Sequence, residues 1–403
     1  MQQAIIHLHQ GVFEYPVLAV RGGTSTGLVL HAGLVPEGEA LRDELLRHLM
    51  GVPLYGEIPG NKQTTGLGRG TPTSNKVFIV GTENHDGRLR LVSTLAQLAA
   101  YTSAIDWSVN CGNLSSILPL WAYDAGLLQA DPVSRELWVD IRNTNTGVIT
   151  RARMRLTDEG QLHCSEIPGV DGSWPAVDLF LQRPVGAKTG QLLPTGLVSE
   201  RVEGVEVSCV DVAVPMVLIR ASDLGKTAHE SVSELEADPV FMAALRRVWI
   251  TAALRMQLKN REGRLLTSEE IAKSETVPKV AILGPGMHGG ALSVRYFTPQ
   301  KGHASLAVSG GCCIASACLI EGSVPQKLSV GVASPGPEYT EFGVNLENPA
   351  GVLATTVIAR QASEGLDIDS AAYQRSAQIL QRGMVPLYRA SLALRQWLGI
   401  RAS

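Results

Sequence analysis

One plan of strands, a glycine-bearing loop and a helix occurs twice along the chain, and this repetition restricts the possible folds more than any other feature. In the first half, strand patterns are followed by a helix predicted over 113–126 and a strand predicted over 137–141. In the second half, strands predicted over 205–219 and 280–297 precede a helix that begins near Gly311. The pattern therefore predicts two α/β domains of similar plan, each with its own helix and core.

The remaining segments set the expected domain limits. An amphipathic helix is predicted over 237–260 and a further helix over 370–400. Glycine and proline residues concentrate between 184 and 197, which predicts a linker. We therefore expect domains over 1–188 and 198–403, with the last helix able to pack back on the first domain.

Composition excludes several classes of protein. The 403 residues include 35 basic and 38 acidic side chains with no long run of either, which argues against a nucleic-acid surface. Neither a signal-peptide pattern at 1–10 nor a run of 18 apolar residues is present, so we expect a cytoplasmic protein without membrane insertion. The six cysteines show no metal-ligand spacing, and we interpret them as reduced thiols without a metal site.

Cys111 lies where a loop turns into a helix. The following residues, Gly112, Asn113 and Ser115, allow close backbone approach or are capping types. Unpaired amides in a first helical turn favour an anion, either the Cys111 thiolate or a substrate carboxylate. Burial statistics alone favour the alternative that this cysteine is a small core residue.

Two loops rich in glycine and hydroxyl groups, 20–27 and 66–77, lie at the ends of predicted strands. Such loops offer amides and hydroxyls to carboxylates or phosphates, although neither has the P-loop or dinucleotide-binding spacing. Lys76 stands between the second loop and an apolar strand, which favours a position at the mouth of a pocket over a solvated surface position.

Several short motifs occur in one order along nearly the whole chain. They are Arg21-Gly22-Gly23-Thr24-Ser25, Ser74-Asn75-Lys76-Val77, Cys111-Gly112-Asn113, Asn145-Thr146-Gly147, the segment 189–196, the segment 212–215, the segment 292–295, His303-Ala304 and Ser334-Pro335-Gly336. In this order they resemble the family of 2-methylaconitate cis-trans isomerases and 4-oxalomesaconate tautomerases, within the diaminopimelate-epimerase-like superfamily.

The resemblance implies an α/β (α+β) fold of two pseudo-symmetric domains, each a barrel-like sheet around a central helix, with the active site in the cleft between them. It implies a cofactor-independent enzyme acting on a small unsaturated di- or tricarboxylate, with Lys76 and Cys111 as catalytic residues. It leaves the oligomeric state open, with a homodimer as the assembly to test. The residues that would bind substrate are Arg21, Gly22, Gly23, Thr24, Ser25, Ser74, Asn75, Gly112, Asn113, Arg295, His303, Ser309, Gly310, Ser334 and Gly336.

Carboxylate substrates require positive charge in the site, and Arg21, Arg69, Lys76 and Arg295 are the candidates. Arg21 could equally form a structural pair at a strand end. Arg295 belongs to an alternating run, which puts it on the same strand face as Ser293.

The type of reaction depends on the second thiol of the superfamily's epimerases, which aligns with Ala307 here. Proton removal on one face of a carbon and return on the other needs two acid/base groups flanking that carbon. A lysine and a single thiol fit proton movement along an allylic system instead. An epimerase or racemase is the alternative if Cys312 or Cys313 faces Cys111.

Three departures from the family pattern bear on the substrate. Thr26 replaces a common lysine, Ser309-Gly310-Gly311 replaces a usual threonine-glycine-alanine, and Leu197 replaces an expected asparagine. The loss of a cation at Thr26 leaves open whether the substrate has as many carboxylates as 2-methylaconitate or 4-oxalomesaconate. It is also the one sequence feature that favours a non-catalytic carboxylate-binding relative.

Overall fold

The computed structural model describes residues 5–260 and 262–402, which form long strands and mostly short helices. The strands are β1 (His7–His9), β2 (Val12–Gly22), β3 (Ser25–His31), β4 (Lys76–His85), β5 (Arg88–Leu98), β6 (Ile105–Asp106), β7 (Glu136–Asn143), β8 (Ile149–Arg155), β9 (Cys164–Ile167), β10 (Val170–Gln182), β11 (Glu200–Val202), β12 (Val205–Val212), β13 (Val214–Arg220), β14 (Lys279–Pro285), β15 (Leu292–Phe297), β16 (Thr340–Asn348), β17 (Gly351–Ala362) and β18 (Gly365–Pro386).

The α-helices are α1 (Glu39–Met50), α2 (Gly112–Ser115), α3 (Ile117–Asp124), α4 (Val232–Glu236), α5 (Pro239–Arg255), α6 (Ser268–Lys273), α7 (Val308–Ala317), α8 (Val324–Leu328) and α9 (Leu392–Gly399). Short 3-10 helices cover Ala32–Leu34, Pro72–Ser74 and Ala221–Leu224.

The described residues divide into two compact units. Unit 1 contains 5–166, 170–179 and 375–402, and unit 2 contains 167–169 and most of 180–374. This division differs from the predicted limits of 1–188 and 198–403, because 375–402 belongs to unit 1. The predicted linker belongs to unit 2, where the amides of Lys188 and Thr189 donate to Asp211 Oδ2 at 2.8 Å each.

In unit 1, one sheet separates two layers of helices. Strand β3 pairs antiparallel with β2 and parallel with β4, and β5 pairs antiparallel with β4 and parallel with β7. One sheet face packs on α1 and α9 through an apolar core that includes Leu28, Val77 and Leu98. The other face receives α2, because Gly22 and Gly27 bring the strands against Asn113 and Leu114.

In unit 2, α7 is the buried helix. All its residues from Gly310 to Ala317 are buried, and it packs on β12, β13, β16 and β17. On another side of the sheet, Phe241, Val248 and Trp249 of α5 pack on strand residues of β12, β13 and β14. The predicted helix over 237–260 is therefore confirmed as α5, with limits a few residues shorter.

The two units repeat one order of connections. Each unit begins with an antiparallel strand pair, β2–β3 in unit 1 and β12–β13 in unit 2. The chain then passes through one or more helices to a strand that pairs parallel with the second strand of that pair, β4 in unit 1 and β14 in unit 2. An antiparallel partner follows (β5; β15), then the buried helix (α2 and α3; α7), then a second parallel neighbour (β7; β16). The predicted repeat around two central helices is confirmed.

The predicted helix over 370–400 is wrong in its first half, where β18 continues to Pro386. Its alanine, glutamine and arginine residues favour a helix locally. Pairing of β18 with β17 in unit 2, and of its later residues with β2 in unit 1, overrides that preference. Only α9 remains helical.

Candidate active site

Cys111 is the residue before α2, and its side chain caps this helix. The backbone is extended (φ −133°, ψ 99°), and Sγ accepts a hydrogen bond from the Leu114 amide at 3.4 Å. Ser25 Oγ lies 3.7 Å from the same sulfur atom. The thiol is half-buried. The thiol therefore lies at the N-terminus of α2 and not in the core, which is the position that a reactive thiol requires.

Glycines of the first loop allow α2 to approach the sheet. A methyl group on Gly22 would lie 2.7 Å from the Asn113 carbonyl oxygen, and one on Gly23 would lie 2.6 Å from Asn113 Oδ1. Gly23 also has a positive φ of 52°, which other residues rarely adopt. These two glycines hold the turn after Cys111, so their observed role is packing.

Lys76 opens β4 and points to the sheet face that carries α2. Leu28 and Val77 are paired in neighbouring strands, and both lie in the core on the opposite face, with α1 and α9. Side chains alternate along a strand, so Lys76 and Ser25 point to the α2 side. Ser25 contacts Cys111, which places Lys76 and Cys111 on one face of unit 1.

Lys76 and Cys111 also belong to one end of this sheet. Ser25, whose Oγ lies 3.7 Å from Cys111 Sγ, opens β3, and Lys76 opens the neighbouring parallel strand β4. Lys76 is 6% exposed, and among the described residues no carboxylate forms an ion pair with it. The structure thus supplies a buried amine and a half-buried thiol on the same face and at the same end.

Asn75 and Ser74 have structural partners. Asn75 is fully buried, its Oδ1 accepts from the Arg69 amide at 2.9 Å, and its Nδ2 donates to Gln63 Oε1 at 2.9 Å. Ser74 Oγ accepts from Thr71 Oγ1 at 3.2 Å. Asn75 therefore fixes the loop 61–70 beside the start of β4.

Arg375 contacts the Cys111 turn and was not among the predicted residues. Its Nε donates to Asn113 Oδ1 at 2.8 Å, and Asn113 Nδ2 donates to Thr24 Oγ1 at 3.2 Å. These three side chains connect the first loop to the turn and add a positive charge there. No local motif marks Arg375, because it lies 262 residues from Asn113 in sequence.

Arg21 points away from Cys111. Arg21 of β2 pairs with Thr26 of β3, and the next residue on each strand faces α2. Side chains alternate along a strand, so Arg21 and Thr26 face the opposite side of the sheet. Its Nη1 donates to the carbonyls of Gly23 (3.0 Å) and Ser376 (3.2 Å), and its guanidinium lies over the Trp174 ring. Burial lowers the pKa of Arg21. Arg21 also donates to the side chains of Ser376 (3.2 Å) and Gln378 (3.4 Å), while its Nη2 is buried without a hydrogen-bond partner among the described residues. These contacts are structural, and none of them is with an acidic side chain.

Thr26 lines a small cavity on that same face, together with Leu67 and Arg69. The cavity measures about 20 Å³, enough for one water molecule. Thr26 Oγ1 is buried there without a hydrogen-bond partner among the described residues. Neither Thr26 nor the exposed Arg69 is brought to Cys111, and Thr26 lies on the sheet face opposite α2.

The predicted residues of unit 2 fall into two groups. His303, Ser309 and Gly310 lie near the start of α7, where His303 Nδ1 accepts from the Ser305 amide and the His303 ring meets Tyr296 edge-on. A methyl group on Gly310 would lie 2.4 Å from the Tyr296 ring, which explains the glycine.

Arg295, Ser334 and Gly336 are not brought to α7. Arg295 points to the strand face opposite Tyr296, donates to the Glu230 carbonyl, and lines a surface cavity with His229 and Glu234. Burial lowers its pKa. Ser334 and Gly336 are exposed in the loop before β16.

Ala307 occupies the position in unit 2 that Cys111 occupies in unit 1. It is the residue before α7, and its side chain caps no amide. Cys312 and Cys313 are fully buried inside α7, and burial raises the pKa of Cys313. Neither thiol is available at the start of that helix.

The described residues contain neither a metal-binding cluster nor a membrane-spanning helix. Across 5–260 and 262–402, no group of three or more His, Cys, Asp or Glu side chains could hold a metal ion. In the same ranges, no helix is long and apolar enough to span a membrane.

Comparisons with known proteins identify the family and the fold. Residues 12–388 match the family described as PrpF protein. The 4-oxalomesaconate tautomerase of Pseudomonas putida is 32% identical, over 94% of this chain and 98% of that protein. The (4E)-oxalomesaconate Delta-isomerase of Novosphingobium is 28% identical, over 92% and 96%. A crystal structure of methylitaconate-delta-isomerase superposes with a TM-score of 0.75 and 25% identity, covering 94% of this chain and 97% of that one. The predicted fold and the predicted family are confirmed.

Proposed function

Because this chain belongs to the PrpF family, we propose that it is a cofactor-independent isomerase that moves a proton across an allylic system in a small unsaturated di- or tricarboxylate. The observation that supports the proposal is that Lys76 and Cys111 lie on the same face, and at the same end, of the sheet in unit 1. The relatives compared above are named for oxalomesaconate and methylitaconate, which are carboxylates of this class.

The proposed reaction uses one amine and one thiol. The amine of Lys76, as the base, takes a proton from the carbon next to the double bond, and the C–H electron pair forms the new double bond. The old π pair moves to the far alkene carbon, which takes the proton of the Cys111 thiol. The dienolate between these steps needs its carboxylate oxygens stabilised, and the charge of Arg375 and the hydroxyl of Ser25 lie at the same turn. Exchange with solvent then restores both groups.

Ala307 supports an isomerase over an epimerase. An epimerase of this fold needs a second acid/base group, and alanine at the equivalent helix start supplies none. Cys312 and Cys313 do not replace it, since both are fully buried inside α7 and burial raises the pKa of the Cys313 thiol. None of the six cysteines, all of which lie within the described residues, forms a disulfide, which supports action in the reducing cytoplasm.

The test is proton NMR of unsaturated tricarboxylates incubated with the protein in deuterated water. We expect deuterium at both ends of the allylic system together with a shifted double bond. Exchange at one stereocentre without double-bond movement would indicate an epimerase. Binding without exchange would indicate a non-catalytic relative.

Variants assign the roles. Lys76→Met and Cys111→Ser should each lower turnover by about 10² to 10⁴, the usual effect of losing an acid/base group. Cys164→Ser is the matched control, because this thiol is exposed in the same unit and has no proposed role. Near-full activity of Cys111→Ser would refute the role of the thiol.

A further inference from the structure

Asn145 belongs to a sequence motif that the proposed reaction does not use, and all but one of its contacts are with backbone. Its Oδ1 accepts from the Leu95 amide at 2.8 Å, and its Nδ2 donates to the Leu95 carbonyl at 2.9 Å. Nδ2 also donates to the Trp107 carbonyl at 2.6 Å. The remaining contact is a 3.2 Å hydrogen bond from Asn143 Nδ2. Through these hydrogen bonds, the side-chain amide of Asn145 joins two backbone segments.

The first segment is β5, where the amide fills a gap in the sheet. Residues 90–93 of β5 pair with β7, and residues 97–98 pair with β6. Leu95 lies between these stretches and would lack a partner on that edge. Asn145 bonds to both of its backbone groups as a neighbouring strand would. Leu95 pairs in turn with Phe78 of β4, two residues from Lys76.

The second segment is the loop that leads to Cys111. After Trp107, the Ser108 amide and hydroxyl donate to Asp106 Oδ1, and these bonds lower the pKa of Asp106. The Cys111 amide donates to Asn110 Oδ1 at 2.8 Å. Each of these hydrogen bonds joins residues one or two positions apart, so the loop between the point that Asn145 holds and Cys111 is ordered by local contacts.

We propose that Asn145 is a positioning residue that fixes the Cys111 loop relative to the strand pair carrying Lys76. One amide group bonds to both segments, so its loss should change their spacing while both side chains remain. The effect expected on turnover rests on the proposed function. The effect expected on the loop does not, because it can be measured without substrate.

Asn145→Asp is the sharpest change, since it keeps the shape and the bond to the Leu95 amide but removes the donor to two carbonyls. Asn61→Asp is the matched control. Asn61 Nδ2 also bridges two carbonyls in unit 1, Gly51 at 3.0 Å and Ala100 at 2.7 Å, but touches neither Leu95 nor Trp107. Both variants should lose thermal stability. If Asn145→Asp does not fold, Asn145→Ala gives the same comparison without an added charge.

Two readouts test the loop without substrate. Hydrogen exchange of the Ser108, Cys111 and Leu114 amides should become about 10-fold faster or more in Asn145→Asp, and stay near the parent rate in Asn61→Asp. Alkylation of Cys111 by iodoacetamide, measured by mass spectrometry relative to the exposed Cys164, should rise about fivefold or more. Unchanged exchange, or an alkylation ratio that stays level or falls, would overturn the proposal.

Kinetics with any substrate found by NMR provide the third readout. We expect Asn145→Asp to lower kcat about 10- to 100-fold with KM changed less than about threefold, because misplaced acid/base groups slow the chemical step. Equal losses of kcat in Asn145→Asp and Asn61→Asp would show a general stability effect and reject the positioning role. If no substrate is turned over even by the parent protein, the proposed function fails, while the loop measurements still decide the role of Asn145.

Discussion

Gly22→Ala should displace the turn that carries Cys111. The added methyl group would lie 2.7 Å from the Asn113 carbonyl oxygen and 2.8 Å from Leu114 Cα. Ordinary contact begins at 3.4 Å, so the backbone at the start of α2 must move by about 0.6–0.7 Å. The residue has no positive φ, so the effect comes from this contact and not from backbone strain.

The expected size follows from that displacement. Overpacking of this kind costs about 1–3 kcal/mol of unfolding free energy. A 1 Å misplacement of catalytic groups can cost about 10²-fold in rate, so a slightly smaller shift should lower kcat about 10- to 100-fold. Unfolding in urea and the deuterium-exchange assay measure the two effects separately.

The matched control is Gly343→Ala. Gly343 is also a strand glycine without a positive φ, but an added methyl group there would meet nothing within 4 Å. We expect this variant to keep full activity and to be unchanged or up to about 1 kcal/mol more stable, because alanine restricts the unfolded chain. Gly22→Ala with parental stability and turnover would refute the contact argument.

Two further substitutions test packing and charge. Gly310→Ala should lower the unfolding free energy by about 1–3 kcal/mol, because the added methyl group would meet the Tyr296 ring. The loss should be clearly smaller in a Tyr296→Leu background, and an equal loss in both backgrounds, measured by urea unfolding, would contradict this explanation. Asp178→Asn should lower the unfolding free energy by about 1–3 kcal/mol, because it removes the buried negative charge 2.9 Å from the Arg153 guanidinium, which keeps Glu136 as an ion-pair partner. Asp158→Asn, which removes an exposed partner of Arg135, should change stability little, and a similar loss in both would reject the burial argument.

Periodicity along the sequence predicted the repeated plan and the helix α5, because both depend on local patterns of apolar residues. It failed at 370–386, where local composition favours a helix. The outcome there depends on pairing partners that are distant in sequence, such as Gln378 with Arg21 of β2. Local propensity does not contain that information.

The sequence predicted part of the candidate site, as it predicted part of the fold. A thiol at a helix start and a lysine at a strand start are visible in short segments, and the structure puts Cys111 and Lys76 on one face. The direction of Arg21 and Arg295 depends on which sheet face receives which helix, and the motifs do not specify this. Arg375 carries no local signal, since its contact with Asn113 arises only in the folded unit.

The division of β18 between the two units has a consequence for synthesis of the protein. A ribosome adds Arg375 262 residues after Asn113, yet unit 1 needs the segment 375–402 to pair with β2 and to cover its core with α9. The Ser376 carbonyl also accepts from the Gly23 amide and the Ser116 hydroxyl, on both sides of the Cys111 turn. Translation thus produces Lys76 and Cys111 early but the strand that holds the Cys111 turn late. We therefore expect a nascent chain stopped before 375 to carry both reactive groups and to show no activity.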